Sequence, residues 1–511
     1  MKLRIPLTSS LDPEVFGGGS ITSGTDARNI IYEKYSDGKL YGTQRPPIAV
    51  VTDASAASVN IRGRGCYFWE ATNALYFINN NTIYKGNYAT TIGTITAGIE
   101  PVTMLELGSR IVIIDHENNR GWTITTGGTL AQITDADFPT DLIQGAAVLD
   151  GYLFVGSSDG TISQSVHNNP TSWVALDFLT AEREPDKAVH ITKYLDQVVV
   201  FGSRTIEFFY NAGYPAGSVL QRRNDISFKT GVTDGRSIHN TGDKIYFIGS
   251  DLTGSGSVYL LDSFQVSKIS NPQIDRYIHD SFIQSDLDAI TAGFSINGHE
   301  LLLITALSTV DGNFQAVQTI VYDRTTKLWS LWDISLPGFS NFPLVKWTDQ
   351  TSLGSRQGFG IFLNGDIFKF SGSSTPTDVV SESDTDYMVD LYIQQQDDYV
   401  LALGADAQAN IECRITLAEF DGDVQNNKMM HKVELVGGRI GGTTGTTNVD
   451  IRWSDDHYNT FSATRSIDTN ARRKLTRLGL FNRRAFELTY TGAEQLRFEA
   501  LEIDFKGSNY A

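Results

Sequence analysis

Asn73-Ala74-Leu75-Tyr76-Phe77-Ile78-Asn79-Asn80-Asn81-Thr82-Ile83-Tyr84-Lys85-Gly86-Asn87 reads as a short apolar strand, a tight asparagine turn and a second strand. The same event returns as SRIVIIDHENNRGWTIT from Ser109, GYLFVGSSDGTISQSV from Gly151, DQVVVFGSRTIEFFYN from Asp196 and DKIYFIGSDLTGSGSVYLLD from Asp243. It recurs again as GHELLLITAL with QTIVYD from Gly298, and as GFGIFLNGDIFKFSG from Gly358. The onsets lie 36, 42, 45, 47, 55 and 60 residues apart, the period of a four-stranded propeller blade rather than of a helical repeat. The expectation is an all-β chain built on a β-propeller of six to eight blades, with seven hairpins read.

At 511 residues the chain exceeds the size at which one core keeps growing, so more than one domain is expected. Residues 1–55, Gly-rich at Phe16-Gly17-Gly18-Gly19-Ser20 and helix-hostile at Gln44-Arg45-Pro46-Pro47, read as an extended leader that drapes over something or supplies a closing strand. Residues 56–374 hold the repeats, and Ser371-Gly372-Ser373-Ser374-Thr375-Pro376-Thr377 reads as a linker. Residues 375–511 read as a β-sandwich-like domain, with strands at 386–394, 410–420, 430–435, 449–454, 485–490 and 496–505. Apolar runs such as 301–307 fall far short of the roughly 20 residues that cross a bilayer, and the first residues are too brief for a secretory signal. Cys66 and Cys413 fall in different regions, which suits buried fillers rather than a disulfide or a thiolate metal site.

Charge argues against bulk DNA binding. The chain carries 59 acidic and 41 basic residues, a net charge of −18, where proteins that grip phosphates are strongly basic. Residues 377–425 hold twelve Asp/Glu against Arg414 alone. Arg465, Arg472, Arg473, Lys474, Arg477, Arg483 and Arg484 cluster with only Asp468 opposing them. One reading makes both blocks solvated faces; a second makes them complementary surfaces of adjacent subunits in a head-to-tail ring; a third puts the basic cluster on DNA or an acidic partner.

The search for chemistry yields no catalytic, cofactor or metal constellation. GGGS at 17–20 lacks the Lys and apolar helix of a phosphate cradle, the eight histidines show no His-x-x-x-His spacing, and no Gly-x-Ser-x-Gly elbow is present. Asp115-His116-Glu117-Asn118-Asn119 and DLTGSGS at 251–257 read as polar turns. Ser454-Asp455-Asp456-His457-Tyr458-Asn459-Thr460-Phe461 resembles the Asp box of sialidase propellers, a hairpin turn that implies no glycosidase activity. Trp329 and Trp332 fall on opposite faces of a strand, one expected in the core and the other open to solvent, where a ring can stack on a sugar. A glycan-binding or glycan-degrading propeller is therefore the competing reading.

In order along the chain, NIIYEKYSDGKLYGTQRP (29–46), DGYLFVGSSDGTISQS (150–165), VFGSRTIEFFY (200–210) and the C-terminal DIRWSDDHYNTF with RRKLTRLGLFNRRAFELTY resemble the packaged-DNA stabilisation proteins of short-tailed bacteriophages. The resemblance covers most of residues 29–505. The Gly- and Thr-rich stretch at 437–447 and Gln44-Arg45-Pro46-Pro47 depart from it. It implies a structural, non-enzymatic tail-hub or nozzle protein of the virion, assembled in the host cytoplasm. It further implies a hexameric ring below the portal or its adaptor, carrying a tail needle, fibres or spikes and holding packaged double-stranded DNA without reading its sequence.

Overall fold

Each of the seven hairpins is the middle of a four-stranded antiparallel meander in the structure, a computed structural model. The structure describes residues 2–7, 26–52, 62–181, 186–232, 234–250, 256–279, 288–310, 313–334, 341–350, 357–370, 377–379, 408–421, 427–439, 448–469, 473–492 and 494–507. The meanders are blades 1 (63–94), 2 (103–132), 3 (147–180), 4 (188–228), 5 (231–268), 6 (288–332) and 7 (344–370 with 48–52). Six are small sheets of their own, with four to six strands each, arranged as blades of a β-propeller. Blade 6 takes a seventh place in the ring as the inner part of a nine-stranded sheet. The first strands of successive blades pack side by side, and that of blade 7, Leu344–Gln350, returns to that of blade 1, Gly63–Trp69. Gly63 sits at this seam, where a Cβ would lie 2.2 Å from the Phe362 carbonyl oxygen.

Turn chemistry follows the sequence. Asp150-Gly151 and Asn297-Gly298 both take positive φ, as a two-residue hairpin turn matched to strand twist demands. The strands read as unbroken apolar runs because blades are covered on both faces. Val198 and Val200 pack with blade 3 residues Leu149, Phe154 and Ile162, while Val199 and Phe201 pack with blade 5 residues Ile245, Phe247 and Leu261. The same rule buries both tryptophans: Trp329 and Trp332 are 2% and 1% exposed, so the expectation of one solvent-facing ring is corrected. Trp329 packs against the blade 5 side and Trp332 against the blade 7 side.

Among the described residues one α-helix, Pro272–Ile278, interrupts the strands between blades 5 and 6. The Asn271 side chain caps it by accepting from the Ile274 N–H at 2.8 Å, with proline in the first turn. Its Ile274, Tyr277 and Ile278 enter the core beside Trp329.

Past blade 6 the nine-stranded sheet continues through Asp26–Arg28, Cys413–Thr416, Ala485–Tyr490, Asn448–Ser454 and Arg465–Asp468. A seven-stranded sheet, built on Lys428–Arg439 and Leu496–Gly507, faces it. Residues from both sheets share one apolar core that includes Ile415, Ile451, Leu488, Val433, Leu501 and Phe505, the packing of a β-sandwich. The first 52 residues supply strands throughout: Lys2–Pro6, Ile30–Lys34 and Leu40–Gln44 join the seven-stranded sheet, Asp26–Arg28 joins the nine-stranded one, and Ile48–Thr52 is the outer strand of blade 7. The GGGS segment, the strand expected at 386–394, the linker at 371–376 and residues 440–447 of the Gly/Thr-rich stretch lie outside the described residues.

Gln44-Arg45-Pro46-Pro47 carries the junction between propeller and sandwich. Arg45, fully buried, donates to Asn29 Oδ1 at 3.1 Å, to the Asp333 carbonyl at 2.8 Å and to the Pro46 carbonyl at 3.1 Å. Asn29, in the left-handed region at φ 55°, donates through Nδ2 to the Glu412 carbonyl at 2.9 Å and to the Asp333 carboxylate. Arg28 completes the knot with a 2.7 Å ion pair to Asp333. Truncating a buried cation strands its acceptors. Arg45→Met is expected to lower unfolding free energy by about 3 kcal/mol or more in urea titrations. A loss below about 1 kcal/mol would contradict the assignment.

Candidate functional site

The first strands of the blades, or the segments that lead into them, wall an axial cavity of about 520 Å³. Cys66, Thr103, Gln144, His190, Lys193, Arg236, Asn240, Thr291 and Lys346 contribute to it from blades or their lead-in segments. One end is bridged: Arg236, which leads into the inner strand of blade 5, pairs with Glu100, before blade 2, at 3.2 Å. These segments are not neighbours around the ring, so the contact crosses the axis. Asp234 at 3.0 Å and Asp288 at 2.8 Å complete the shell of Arg236. The propeller axis is thus a pocket with a braced floor.

Burial dominates the electrostatics here. It pushes the Glu100 carboxyl up to about 7, against the pull of Arg236. It holds the His190 and His239 imidazoles down to about 3, and His116 to about 4, with the Lys346 charge adding to the effect at His190 and His239. The Cys66 thiol is raised to about 12. Lys346 is exposed to the solvent of the cavity, and the desolvation that the surrounding protein imposes lowers its pKa. No group of three or more His, Cys, Asp or Glu among the described residues is placed to hold a metal ion.

The sequence reading did not single out these residues. A signal existed: His190 in Ala188-Val189-His190-Ile191 and Lys346 in Leu344-Val345-Lys346-Trp347 are ionisable residues within apolar strands.

The basic cluster divides. Lys474, Arg473, Arg477 and Arg483 are exposed, though Arg473 spends its guanidinium on the carbonyls of Thr469 and Gly437. Arg465 donates to the Thr476 carbonyl at 2.9 Å, and Arg472 lies outside the described residues. Arg484 leaves the candidate interface: it is 1% exposed, grips Asp455 through two nitrogens at 2.7 and 2.6 Å, and lies over Trp453 and Phe481. Its charge is spent inside the fold. Most of the acidic block at 377–425 lies outside the described residues.

The Asp-box-like segment is a turn held by its own side chains. Ser454 Oγ accepts from the Tyr458 N–H at 3.0 Å, and Asp456 Oδ1 accepts from the Thr460 N–H at 2.9 Å. Asp115, fully buried, pairs with Arg64 at 2.9 Å.

A family model described as "Bacteriophage P22 Gp10, beta-propeller" matches residues 30–344, blades 1 to 6 with the strands that lead into them. The chain belongs to this phage-stabilisation family. A member of it, the tail hub protein gp10 of Salmonella phage P22, is 26% identical over 254 residues, which span 47% of this chain and 52% of that protein. The match thus spans about half the length of this curated relative. Among solved structures, the N-terminal domain of Nup159 is similar at 8% identity and TM-score 0.38, over 68% of this chain and 99% of that one. The computationally designed Ika8 protein is similar at 9% identity and TM-score 0.38, over 64% of this chain and 99% of that one. At these scores neither likeness carries an argument.

The depressed histidines fix a pH dependence. Unfolded, they take up protons near 6.5; folded, only near 3 to 4. Their contribution to stability is present above about 6.5 and lost as pH falls towards 3 to 4. Glu100 runs oppositely, its contribution present below 4.5 and lost as pH rises through about 7. The urea midpoint is expected to fall between pH 6.5 and 4, and the double variant His190→Gln, His239→Gln should flatten that fall. An unchanged slope would show the imidazoles to be uninvolved.

Proposed function

We propose that this chain is a structural hub protein of a short-tailed phage tail, whose copies assemble into a ring around the DNA exit path and attach further tail components. The observation that carries the reading is membership of the phage-stabilisation family together with the similarity to the tail hub protein of phage P22. The geometry supports a conduit between subunits: the propeller's own axis is bridged by the Arg236–Glu100 pair and is on the scale of a small-molecule pocket, so a duplex belongs at the centre of a ring of chains. With a net charge of −18, such a ring resists the phosphate grip that would slow DNA passage. Retention of packaged DNA then comes from assembled shape and a plugging partner.

The division of the chain into leader, propeller and sandwich belongs to the same proposal, with the sandwich as the module that meets neighbouring subunits. The exposed Lys474, Arg477 and Arg483 face the acidic block at 377–425 of the next copy. The glycan-directed reading loses its support, since Trp329 and Trp332 are buried and the Asp-box-like segment is a self-contained turn. No helix among the described residues is long and apolar enough to cross a membrane.

The test is charge reversal. Lys474→Glu, Arg477→Glu and Arg483→Glu together should abolish the ring in native mass spectrometry and electron microscopy, where the unmodified protein with its neighbouring tail components gives sixfold rings. The variant's circular dichroism and melting should stay those of the folded monomer. Intact rings from the triple variant would sink the charge-pairing mechanism, and the lack of any ring from the unmodified protein would sink the hub reading.

A further inference from the structure

The wall of the axial cavity is a local inversion of the molecule's charge. In a chain of net charge −18, the side chains that line this cavity include Lys193, Arg236 and Lys346 and no carboxylate. Arg236 is neutralised by Glu100, Asp234 and Asp288. The two lysines are not: among the described residues, neither ammonium makes an ion pair or a hydrogen bond.

His190 adds an independent sign. It lines the cavity, is only 9% exposed, and its Nδ1 has no hydrogen-bond partner among the described residues. A buried polar atom without a partner costs about 1–3 kcal/mol, and native folds seldom retain one unless something else meets it. The cavity also presents the Gln144 amide and the Thr192 hydroxyl, which accepts from Asn240 at 2.8 Å, while Asn240 spends its other donor on the Lys193 carbonyl. Two lysines without a counter-charge, an unmet imidazole and the Gln144 amide in a concave site of about 520 Å³ are what an anionic small molecule would complete.

We propose that the axial cavity is a binding site for a phosphorylated small molecule, its phosphate held by Lys346 and Lys193 with His190 as a hydrogen-bonding partner and its remainder filling the pocket against Gln144 and Asn240. Phosphate is the class favoured because lysine serves it as a point charge while the Gln144 amide and the imidazole can donate to its other oxygens. The volume exceeds what a bare oxyanion needs and lies within the range of small-molecule sites, about 300–1,000 Å³. Bound there, the ligand would neutralise Lys346 where the inner strands of blades 1, 4 and 7 converge, so it would stabilise the folded ring by mass action. The site sits in the propeller and is independent of the hub reading.

Isothermal titration with inorganic pyrophosphate tests this on the full-length protein. The expected result is one site per chain with a dissociation constant below about 1 mM, accompanied by a rise in melting temperature. Lys346→Gln should weaken binding at least tenfold and His190→Gln measurably, while Lys506→Gln, exposed on the sandwich, should bind as the unmodified protein does. Circular dichroism of each variant checks that it is folded. A short DNA duplex should not displace pyrophosphate. The proposal is overturned by an absence of binding up to 10-fold above that limit, by binding that survives Lys346→Gln, or by displacement with duplex, which would assign the phosphate chemistry to DNA instead of a small ligand.

Discussion

Arg45 lies with its guanidinium 6.0 Å from the Trp332 ring centre and 5.4 Å from that of Phe342, and gives its hydrogen bonds to Asn29 and to the carbonyls of Asp333 and Pro46. Three stretches far apart in the chain meet at this cation: the N-terminal strands, the exit from blade 6, and, through the Asn29–Glu412 bond, the start of the sandwich. Asp26–Arg28 pairs in parallel with blade 6 at Leu331 and antiparallel with Cys413–Thr416, so one short strand welds propeller to sandwich. Further along the same segment, Ile48–Thr52 is laid on Ile367–Phe370 and completes blade 7. The N-terminal residues thus complete the last blade and couple it to the second domain. A buried charge so placed is costly unless every partner is present, which favours one assembly of these pieces over partial ones.

The same constraint organises the propeller's interior. Blades sandwiched between neighbours must be apolar on both faces, and this leaves polar function to the inner edge and the outer rim. At the inner edge the Arg236–Glu100 pair spans the ring with Asp234 and Asp288 beside it, while Lys346 and Lys193 make no ion pair among the described residues. In the sandwich, Arg484 is spent on Asp455 and two aromatic rings, which fixes the turn of the Asp-box-like segment to the sandwich core.

The hairpins were legible because tight turns and strand pairs are local. All seven fall on the second and third strands of a meander, with Asp150-Gly151 and Asn297-Gly298 turning as their residue types demand. The strands expected at 485–490 and 496–505 appear as Ala485–Tyr490 and Leu496–Gly507. What could not be read was which faces meet. One of Trp329 and Trp332 looked exposed because alternation implies one wet face, whereas blade stacking removes it. Arg484 looked like surface charge because sequence proximity to Arg483 says nothing of a strand's inner side. The helix at Pro272–Ile278 carried a local signal, Asn271-Pro272, easily taken for a turn within a β pattern. The axial site needed the ring itself, since Lys346 and His190 are brought together only by closure.

Native-state hydrogen exchange against denaturant tests most directly whether the Arg45 knot makes propeller and sandwich one cooperative unit. The amides of Leu328–Trp332 in blade 6, Asp26–Arg28 at the junction and Cys413–Thr416 in the sandwich should converge on a single opening free energy. If the sandwich amides open at a distinctly lower free energy while those of blade 6 stay protected, the two domains are merely tethered, and the account of a single interlocked fold is wrong.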